Sequence, residues 1–486
     1  MSAPRLSADR LAGMRSAGRV RLPAADTRPR LGIVHLGIGA FHRAHQAVFT
    51  EDAMEATGEQ SWGICGVTQR SRSVVEQLAP QGGLYGVLQR DSDEMQLRIV
   101  AAVRKVFFAG DDPQLLTDTI ADPDIAVATL TVTEKGYRRA GNGGLDLHDP
   151  GVQADLAGAA PTTAVGRLVR GLQRRAQRHQ AGITVLSCDN LAGNGAVLAR
   201  LIDDFCAALP SSEGDVLRPW IATNVRFPPS MVDRIVPATS PRDFCDAREL
   251  TGLDDAGLVV AEPFRQWVIQ DTFAGPRPAW ERAGALLVDD VEPYETAKLR
   301  LLNATHSLLA YAGALAGYTT IADAVHDPAL AAAAEHFMVE DATPTLRLPP
   351  GFDAEQYRAS VLRRLANPAL RHTTTQVAMD GSQKLPIRLL GVVRDRLAHG
   401  AEPMWASFAV AAWMLYVARS CGDPQRYPLQ DPMAARLQQA AAGPTSGLAQ
   451  RMLDLSEVFD HELADSDVFA DLLAEHIRKL DRDSPA

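Results

Sequence analysis

The sequence predicts an α/β fold, with an N-terminal domain built on a mainly parallel sheet and a mostly α-helical C-terminal domain. Short apolar segments alternate with helix-compatible segments over the first part of the chain, as they do in a parallel sheet covered by helices. A glycine turn follows the first of these segments directly. Near Val288 successive helical patterns replace the alternation, so we place the domains at 1–287 and 288–486.

Each predicted strand of the first domain is a short apolar run. The first, at 31–36, leads through the glycine turn into a helix-compatible run from Arg43 to Ala56; further strands are expected at 62–67, 125–132 and 183–188, with extra strands between 83 and 108. Ligands of parallel sheets gather at the carboxyl ends of the strands. We therefore expect Gly37, Thr133 and Asn190 along a common edge.

Composition narrows the class of protein. The 486 residues are 46% hydrophobic with a net charge of −10, which disfavours a nucleic-acid partner. The basic run 170–178 is interpreted as the solvated face of a helix at about 163–180. Five scattered cysteines predict reduced thiols in a cytoplasmic protein without a metal site.

The longest apolar run, 404–418, is shorter than the roughly 20 residues that span a bilayer. We therefore expect it to form a core helix, and we expect no membrane partner. We also expect the protein to be a monomer or a small homo-oligomer.

The glycine turn Gly37-Ile38-Gly39-Ala40-Phe41 between a strand and a helix allows the backbone to approach a pyrophosphate. The third glycine of the usual dinucleotide fingerprint is missing, because a histidine occupies its position. An incidental strand turn is the alternative interpretation. The alternation of strands and helices favours a dinucleotide.

The choice between NAD and NADP depends on the segment after the second strand. An acidic residue normally stands there to hold the ribose hydroxyls, but Val67 is followed by Thr-Gln-Arg-Ser-Arg without a carboxylate. Arg70 or Arg72 could meet a 2′-phosphate, flank the adenosine, or belong to an ordinary solvated turn. These residues leave both NAD and NADP open.

Three polar residues interrupt an apolar helical segment of the second domain. At about 100° per residue, Asn303 lies roughly 140° and His306 roughly 80° around an α-helix from Lys298. All three then share the half of the helix that also carries Leu302, which is the half expected to be buried. Burying a Lys or His side chain costs free energy, so such residues usually have a hydrogen-bond partner or a function. The sequence predicts either an active site or a helix whose polar groups satisfy local hydrogen bonds.

Four motifs together resemble the mannitol dehydrogenase family of polyol-specific long-chain dehydrogenases. They are His-Leu-Gly-Ile-Gly-Ala-Phe-His-Arg-Ala-His-Gln at 35–46, Phe-Pro-Pro-Ser-Met-Val-Asp-Arg-Ile-Val-Pro at 227–237, Lys298-x4-Asn303-x2-His306, and Asp-Gly-Ser-Gln-Lys-Leu-Pro at 380–386. They occur in the family's order and span most of the chain. The resemblance implies a Rossmann-type N-terminal domain, a mostly helical C-terminal domain and metal-independent, NAD-linked hydride transfer.

The resemblance also implies roles for the polar helix residues. Lys298 would be the general acid/base, and Asn303 and His306 would hydrogen-bond the reacting oxygen. Burial on an apolar face is expected to pull the pKa of a lysine down toward neutrality, where it can both take and give a proton. Fixed donors stabilise an alkoxide without zinc. Glu295, about one turn earlier, would relay the proton or pair with the lysine.

Cofactor and substrate contacts follow from the same resemblance. The cofactor would be held by Gly37, Ile38, Gly39, Ala40, Phe41, Arg70, Thr133 and Glu134, with a strand-end turn as the alternative for 133–137. The substrate would meet Asn190, Asp233 and Lys384. In the alternatives, Asn190 satisfies backbone groups, Asp233 pairs with Arg234, and Lys384 is solvated in its turn.

The residues at 302–311, 317–323 and 367–384 resemble the fructuronate reductase branch of the family more than the mannitol branch. Gln376 stands where mannitol enzymes tend to carry an arginine. A hexuronate needs a cation for its carboxylate, and we expect Arg371, His372, Lys384 or Arg388 to supply it, although Arg371 could instead cap its helix. The expected reaction is reduction of D-fructuronate to D-mannonate. Fructose/mannitol or D-arabinitol turnover, or a non-catalytic nucleotide-binding protein, are the alternatives.

Overall fold

The computed structural model describes residues 3–12, 14, 18–24, 29–92 and 94–483. The chain divides into two compact units, Met1–Val291 and Glu292–Ala486. The sequence placed this division at 287/288. Each unit has a hydrophobic core of its own, so the two are described separately.

The described strands all lie in the N-terminal unit. They are β1 (Val20–Arg21), β2 (Leu31–Leu36), β3 (Gly63–Thr68), β4 (Tyr85–Arg90), β5 (Met95–Val100), β6 (Val103–Phe108), β7 (Val127–Leu130), β8 (Ile183–Ser187), β9 (Val225–Arg226), β10 (Ser230–Asp233), β11 (Val259–Ala261), β12 (Gln266–Gln270) and β13 (Leu286–Val288).

The helices of this unit connect and cover the strands. They span Ala8–Leu11, Ala40–Ala44, Gln46–Thr57, Ser73–Leu78, Pro113–Ile120, Pro150–Leu156, Ala164–Arg178, Asn194–Ala208, Ser211–Asn224 and Pro241–Thr251, with 3₁₀ turns at Ala79–Gln81, Glu134–Tyr137 and Trp280–Ala283.

Six parallel strands form the main sheet, in the order β6-β3-β2-β7-β8-β9. Numbered along the chain, this order is the 3-2-1-4-5-6 of a Rossmann fold. The central strands are buried on both faces, which explains their continuous apolar runs. The predicted Rossmann-type fold is confirmed. β6, which the sequence placed among extra strands, is an edge strand of this sheet. The other two strands of that stretch, β4 and β5, belong to a second sheet ordered β1-β5-β4-β11, and β10, β12 and β13 form a third.

A pair of stacked histidines occupies the place where the usual fingerprint has its third glycine. His42 lies against His35 of β2 with ring centroids 3.4 Å apart, and both side chains are fully buried. The His35 ring also contacts the hydroxyls of Thr129 and Thr131, at 2.7 and 2.9 Å. The third glycine normally lets helix and strand approach closely; here two flat rings stacked face to face fill the space between them.

The interpretation of 170–178 as a solvated basic face was wrong for one residue. Arg175 is completely buried, and its guanidinium donates hydrogen bonds to the carbonyls of Ile120, Asp122, Ala181 and Gly182. Ile120 and Asp122 lie at the end of the helix Pro113–Ile120, and Ala181 and Gly182 directly precede β8. Buried carbonyls of this kind need a donor. A buried arginine with several acceptors cannot be distinguished by periodicity from a solvated one.

The C-terminal unit is helical throughout its described part. Its α-helices span Glu292–Ala297, Ala304–Leu315, Ile321–His326, Pro328–His336, Ala354–Leu365, Thr374–Ala378, Gly381–Leu385, Gly391–Ala398, Met404–Gly422, Ala434–Ala441, Leu448–Leu453, His461–Ala464 and Asp467–Asp483. Three π-helical segments, Lys298–Asn303, Phe337–Ala342 and Pro386–Leu390, and 3₁₀ turns at Thr343–Thr345, Pro368–Leu370 and Thr445–Gly447 interrupt them.

The apolar run at 404–418 is the core helix that the sequence predicted. It extends over Met404–Gly422, is buried along most of its length, and packs on Ala304–Leu315 and Asp467–Asp483. Within the residues that the structure describes, no helix is both long and apolar enough to cross a bilayer.

Candidate active site

The glycine turn after β2 has two glycines with different functions. Gly37 has φ +96°, and a Cβ there would lie 2.1 Å from the carbonyl oxygen of Thr131, so the fold itself requires glycine. A Cβ on Gly39 would meet only the carbonyl of Gly37, at 3.7 Å. Packing does not require glycine at position 39, whereas close approach of a pyrophosphate does. The turn therefore fits a dinucleotide.

The remaining residues of this turn contribute through their backbone. The side chain of Ile38 is buried against Gly66 of β3. Ala40 and Phe41 open the helix Ala40–Ala44, where the first N–H groups have no acceptor within the helix. Those N–H groups are the donors available to a phosphate.

A buried carboxylate positions the loop after β7. Asp189, directly after β8, accepts hydrogen bonds from the backbone N–H groups of Val132 and Thr133, at 3.0 and 2.8 Å, and from the Tyr137 hydroxyl at 2.7 Å. Thr133 is held at φ +66°, and its side chain and that of Glu134 are exposed at this strand end. Burial raises the pKa of Asp189, and these three donors oppose that rise. The sequence named the exposed neighbour Asn190 and missed the role of Asp189, although an aspartate directly after a buried strand was a usable signal.

Replacing this carboxylate is expected to loosen the loop. Asp189→Ala leaves three donors without their acceptor, and we expect it to lower the free energy of unfolding by about 2–4 kcal/mol and to weaken dinucleotide binding. Chemical denaturation and a cofactor titration measure the two effects. Asp203→Ala, which removes an exposed carboxylate paired with Arg218, is the control and should cost under about 1 kcal/mol. Equal losses in the two variants would contradict this role.

The other predicted contacts of the N-terminal unit lie in different surroundings. Arg70 is exposed beyond the end of β3. Asp233 ends β10 and is buried, and its neighbour Arg234 donates to the carbonyls of Glu262 and Ala44. These hydrogen bonds of Arg234 hold the backbone next to Asp233 in place.

The helix that carries Lys298 and Asn303 departs from the α geometry assumed from the sequence. Lys298–Asn303 is a π-helical segment, and the N–H of Ala304 reaches back five residues to the carbonyl of Leu299. In i→i+5 geometry, residues five apart lie on one face one turn apart. The expected separation of roughly 140° is therefore wrong, and the π turn aligns Lys298 with Asn303. No sequence pattern announced it.

Three polar atoms on this helix are buried without a hydrogen-bond partner among the described residues: Nδ2 of Asn303, Oγ1 of Thr305 and Nε2 of His306. A buried orphan donor or acceptor costs about 1–3 kcal/mol, and such groups are rare unless function retains them. The backbone carbonyl of Asn303 is, by contrast, bound by Ser307 Oγ at 3.2 Å and Arg388 Nη1 at 3.3 Å. Asn303 is thus fixed through its backbone while its amide remains available. Lys298, 7% exposed, lies on the same turn.

Positive charge surrounds His306. Its pKa is lowered well below the ordinary value, first by burial and then by His372, Arg388, Lys384 and Arg364. The His372 ring lies parallel to it with centroids 5.7 Å apart, and burial lowers the pKa of His372 as well. His306 is therefore a neutral imidazole at physiological pH.

The cations predicted for a substrate carboxylate differ in position. Arg371 is exposed at φ +49°, at the end of the 3₁₀ turn Pro368–Leu370, whereas Lys384 donates to the carbonyl of Met379 at 2.5 Å and belongs to the group acting on His306. Gln376 caps the helix Thr374–Ala378 with Thr373. Arg364 was not predicted, because the pair Arg363-Arg364 looks like an ordinary solvated helix face.

Backbone strain concentrates at these segments. The non-glycine residues with positive φ, among those described, are Thr133, Arg138, Arg371 and Asp380. Such conformations cost of order 1–3 kcal/mol and cluster at functional sites. Two of them flank the loop after β7 and two flank the segment that carries His372.

Two family models match the chain. The mannitol dehydrogenase Rossmann domain matches residues 31–282, and the mannitol dehydrogenase C-terminal domain matches residues 290–481. The chain belongs to the mannitol dehydrogenase family. It is therefore an oxidoreductase with a dinucleotide-binding Rossmann domain.

Relatives in this family include two with different substrates. D-mannonate oxidoreductase of Escherichia coli is 40% identical over 438 residues, covering 89% of each chain. Mannitol 2-dehydrogenase of Pyrenophora tritici-repentis is 35% identical over 463 residues, covering 93% of this chain and 80% of the relative. Among solved structures, Pseudomonas fluorescens mannitol 2-dehydrogenase in a ternary complex with NAD and D-mannitol has a TM-score of 0.85 and 35% identity, covering 98% of this chain and 97% of that one.

Proposed function

We propose that this mannitol dehydrogenase family member is a fructuronate reductase, which reduces D-fructuronate to D-mannonate with a reduced nicotinamide dinucleotide. The observation that carries the proposal is the positive environment of His306. After burial and the neighbouring His372 ring, three cations, Arg388, Lys384 and Arg364, lower the pKa of this imidazole. A neutral polyol has no charge to match such a field, whereas a hexuronate carboxylate does. The 40% identity to D-mannonate oxidoreductase supports the same choice.

Lys384 is the cation that we assign to the substrate carboxylate. Its ammonium donates to the carbonyls of Met379 and Val377, at 2.5 and 3.4 Å, and it is one of the cations that lower the pKa of His306. Arg388 is instead engaged by the Asn303 carbonyl and by Ser307 Oγ, at 3.3 and 3.0 Å. Arg371 stands outside the group that acts on His306.

Lys298, Asn303 and His306 have different functions at the reacting oxygen. Bound nicotinamide supplies the hydride to the carbonyl carbon. Lys298 donates its proton to the oxygen as negative charge develops there, and the amide of Asn303 donates a hydrogen bond to the same oxygen. His306, being neutral, offers one ring N–H for a second hydrogen bond. Preformed donors of this kind are typically worth 10²–10³-fold each in turnover.

Steady-state rates of nicotinamide oxidation with fructuronate and with fructose test the proposal. We expect kcat/KM for fructuronate to exceed that for fructose by about 10- to 10²-fold, the equivalent of one charge-assisted contact of about 1.5–3 kcal/mol. Lys384→Gln should lower kcat/KM for fructuronate much more than for fructose. A preference of the wild-type enzyme for fructose would overturn the assignment.

Mannitol 2-dehydrogenase activity is the second candidate. It is favoured by the likeness to the Pseudomonas fluorescens enzyme, whose structure aligns over 98% of this chain. The same comparison of substrates, extended to D-arabinitol and mannitol in the oxidative direction, separates it from the first candidate. A non-catalytic nucleotide-binding protein would turn over none of these compounds.

A further inference from the structure

The segment that follows β3 contains no carboxylate, and two of its side chains, Gln69 and Arg72, are already engaged. Thr68 is buried at the end of the strand, and its hydroxyl has no hydrogen-bond partner in the described part of the chain. The Gln69 side-chain oxygen accepts a hydrogen bond of 2.8 Å from Arg167. Arg72 forms an ion pair with Asp111 and lies over the Phe108 ring, 5.8 Å from its centroid.

Arg70 and Ser71 differ from these neighbours. Both are exposed. Arg70 has neither an ion pair nor a hydrogen bond to another residue in the described part of the chain. The Ser71 hydroxyl contacts only that of Ser73, at 3.0 Å, so it can still donate or accept elsewhere. The sequence left Arg70 and Arg72 as equal candidates; the ion pair with Asp111 removes Arg72.

These two side chains lie close to the glycine turn. The backbone N–H groups of Gly37 and Ile38 both point to the carbonyl of Val67, at 2.8 and 3.4 Å. The turn that fits a pyrophosphate is thus hydrogen-bonded to the end of β3, and Arg70 is three residues further along. In a Rossmann fold, the adenosine ribose lies at this strand end.

We propose that Arg70 and Ser71 form a subsite for the 2′-phosphate of NADP(H), so that the enzyme binds NADP(H) at least as well as NAD(H). A ribose 2′-hydroxyl finds no carboxylate to accept its hydrogen bond between Thr68 and Arg72. A phosphate monoester on the same carbon would instead meet an uncompensated guanidinium, which can donate two parallel hydrogen bonds to it, and a hydroxyl. The carboxylate of Asp111, on the turn after β6, is neutralised by Arg72 and would not repel it.

The proposal deepens the proposed function by naming the cofactor, but its test does not depend on the sugar substrate. Calorimetric titration of the purified enzyme with NADPH and with NADH, without substrate, gives the two dissociation constants. We expect NADPH to bind at least as tightly as NADH. Arg70→Gln should weaken NADPH binding by about 10- to 100-fold, the loss of one or two charge-assisted hydrogen bonds, and leave NADH binding within about twofold.

Two further variants sharpen the test. Arg70→Glu should reverse the preference in favour of NADH, because a carboxylate repels the phosphate and accepts from the ribose hydroxyl. Arg218→Gln, a matched loss of an exposed arginine that is already paired with Asp203, should leave the ratio of the two constants unchanged. Retained NADH binding shows that each variant is folded.

Two results would overturn the proposal: NADH binding more tightly than NADPH in the wild type, or Arg70→Gln weakening both cofactors equally. The outcome is separate from that of the sugar assay. An enzyme that prefers fructose could still bind NADPH through Arg70, and a fructuronate reductase could still fail this titration.

Discussion

Lys298→Ala is expected to lower kcat by about 10³-fold or more while the dissociation constant of the nicotinamide cofactor stays within about twofold. General acid/base groups typically contribute 10²–10⁴-fold, and no proton donor replaces Lys298 on the π turn. The glycine turn that fits the cofactor belongs to the N-terminal unit, and Lys298 belongs to the C-terminal unit. Single-turnover rates with fructuronate and a cofactor titration measure the two quantities.

The control for this variant is Lys479→Ala, which removes an exposed lysine paired with Glu475 and should change neither quantity. Lys298→Arg keeps the charge but holds its proton much more tightly, so it should be nearly as slow as the alanine variant. Turnover that survived Lys298→Ala would contradict the acid/base role and would favour the non-catalytic alternative.

Acidification from pH 7 to pH 5 should lower the free energy of unfolding by several kcal/mol through the buried histidines near the glycine turn. Burial lowers the pKa of His35 and His45 to about 3 and that of His42 well below its ordinary value. The folded state then binds fewer protons than the unfolded state, where the pKa is about 6.5. Stability present above pH 6.5 is lost as the pH falls towards 3, at about 2 kcal/mol per histidine between pH 7 and 5.

Three buried carboxylates act in the opposite direction, because burial raises the pKa of Glu51, Asp189 and Asp255. Variants isolate the histidine contribution. His42→Phe keeps a flat ring against His35 and removes one titrating group, so its loss of stability between pH 7 and 5 should be about 2 kcal/mol smaller than that of the wild type. His148→Gln, at an exposed position, should leave the pH dependence unchanged. Identical slopes for His42→Phe and the wild type would refute the assignment.

The sequence was sufficient for the fold class because its signals are local. Continuous apolar runs marked β2, β7 and β8, and the glycine turn marked the first crossover. The assignment of β6 was not accessible in this way, because alternation shows that a strand exists but not which sheet it joins. Arg175 illustrates the same limit for side chains: its burial depends on four carbonyls brought together from distant parts of the chain.

The candidate site was predictable in its residue types and less so in its geometry. Lys298, Asn303 and His306 were named from motif and chemistry, but their arrangement rests on a π turn that no residue pattern encodes. The roles of Asp189, Arg364 and Arg388 depend on hydrogen bonds and charges that act between segments distant in the sequence, so they can be seen only in the folded structure. The side-chain amide of Asn303, which has no hydrogen-bond partner among the described residues, is likewise visible only in the structure.

The π turn between Glu292–Ala297 and Ala304–Leu315 also has a bearing on chain length. A π turn accommodates one more residue than an α turn, so the segment Lys298–Asn303 behaves as a single-residue insertion that two ordinary helices absorb without losing their packing. Deleting one residue between Lys298 and Asn303 would leave the two four residues apart in an ordinary α-helix, about 40° around its axis and therefore still on one face. The helices on either side would keep their packing. The length of this segment can therefore change by one residue without separating the two side chains.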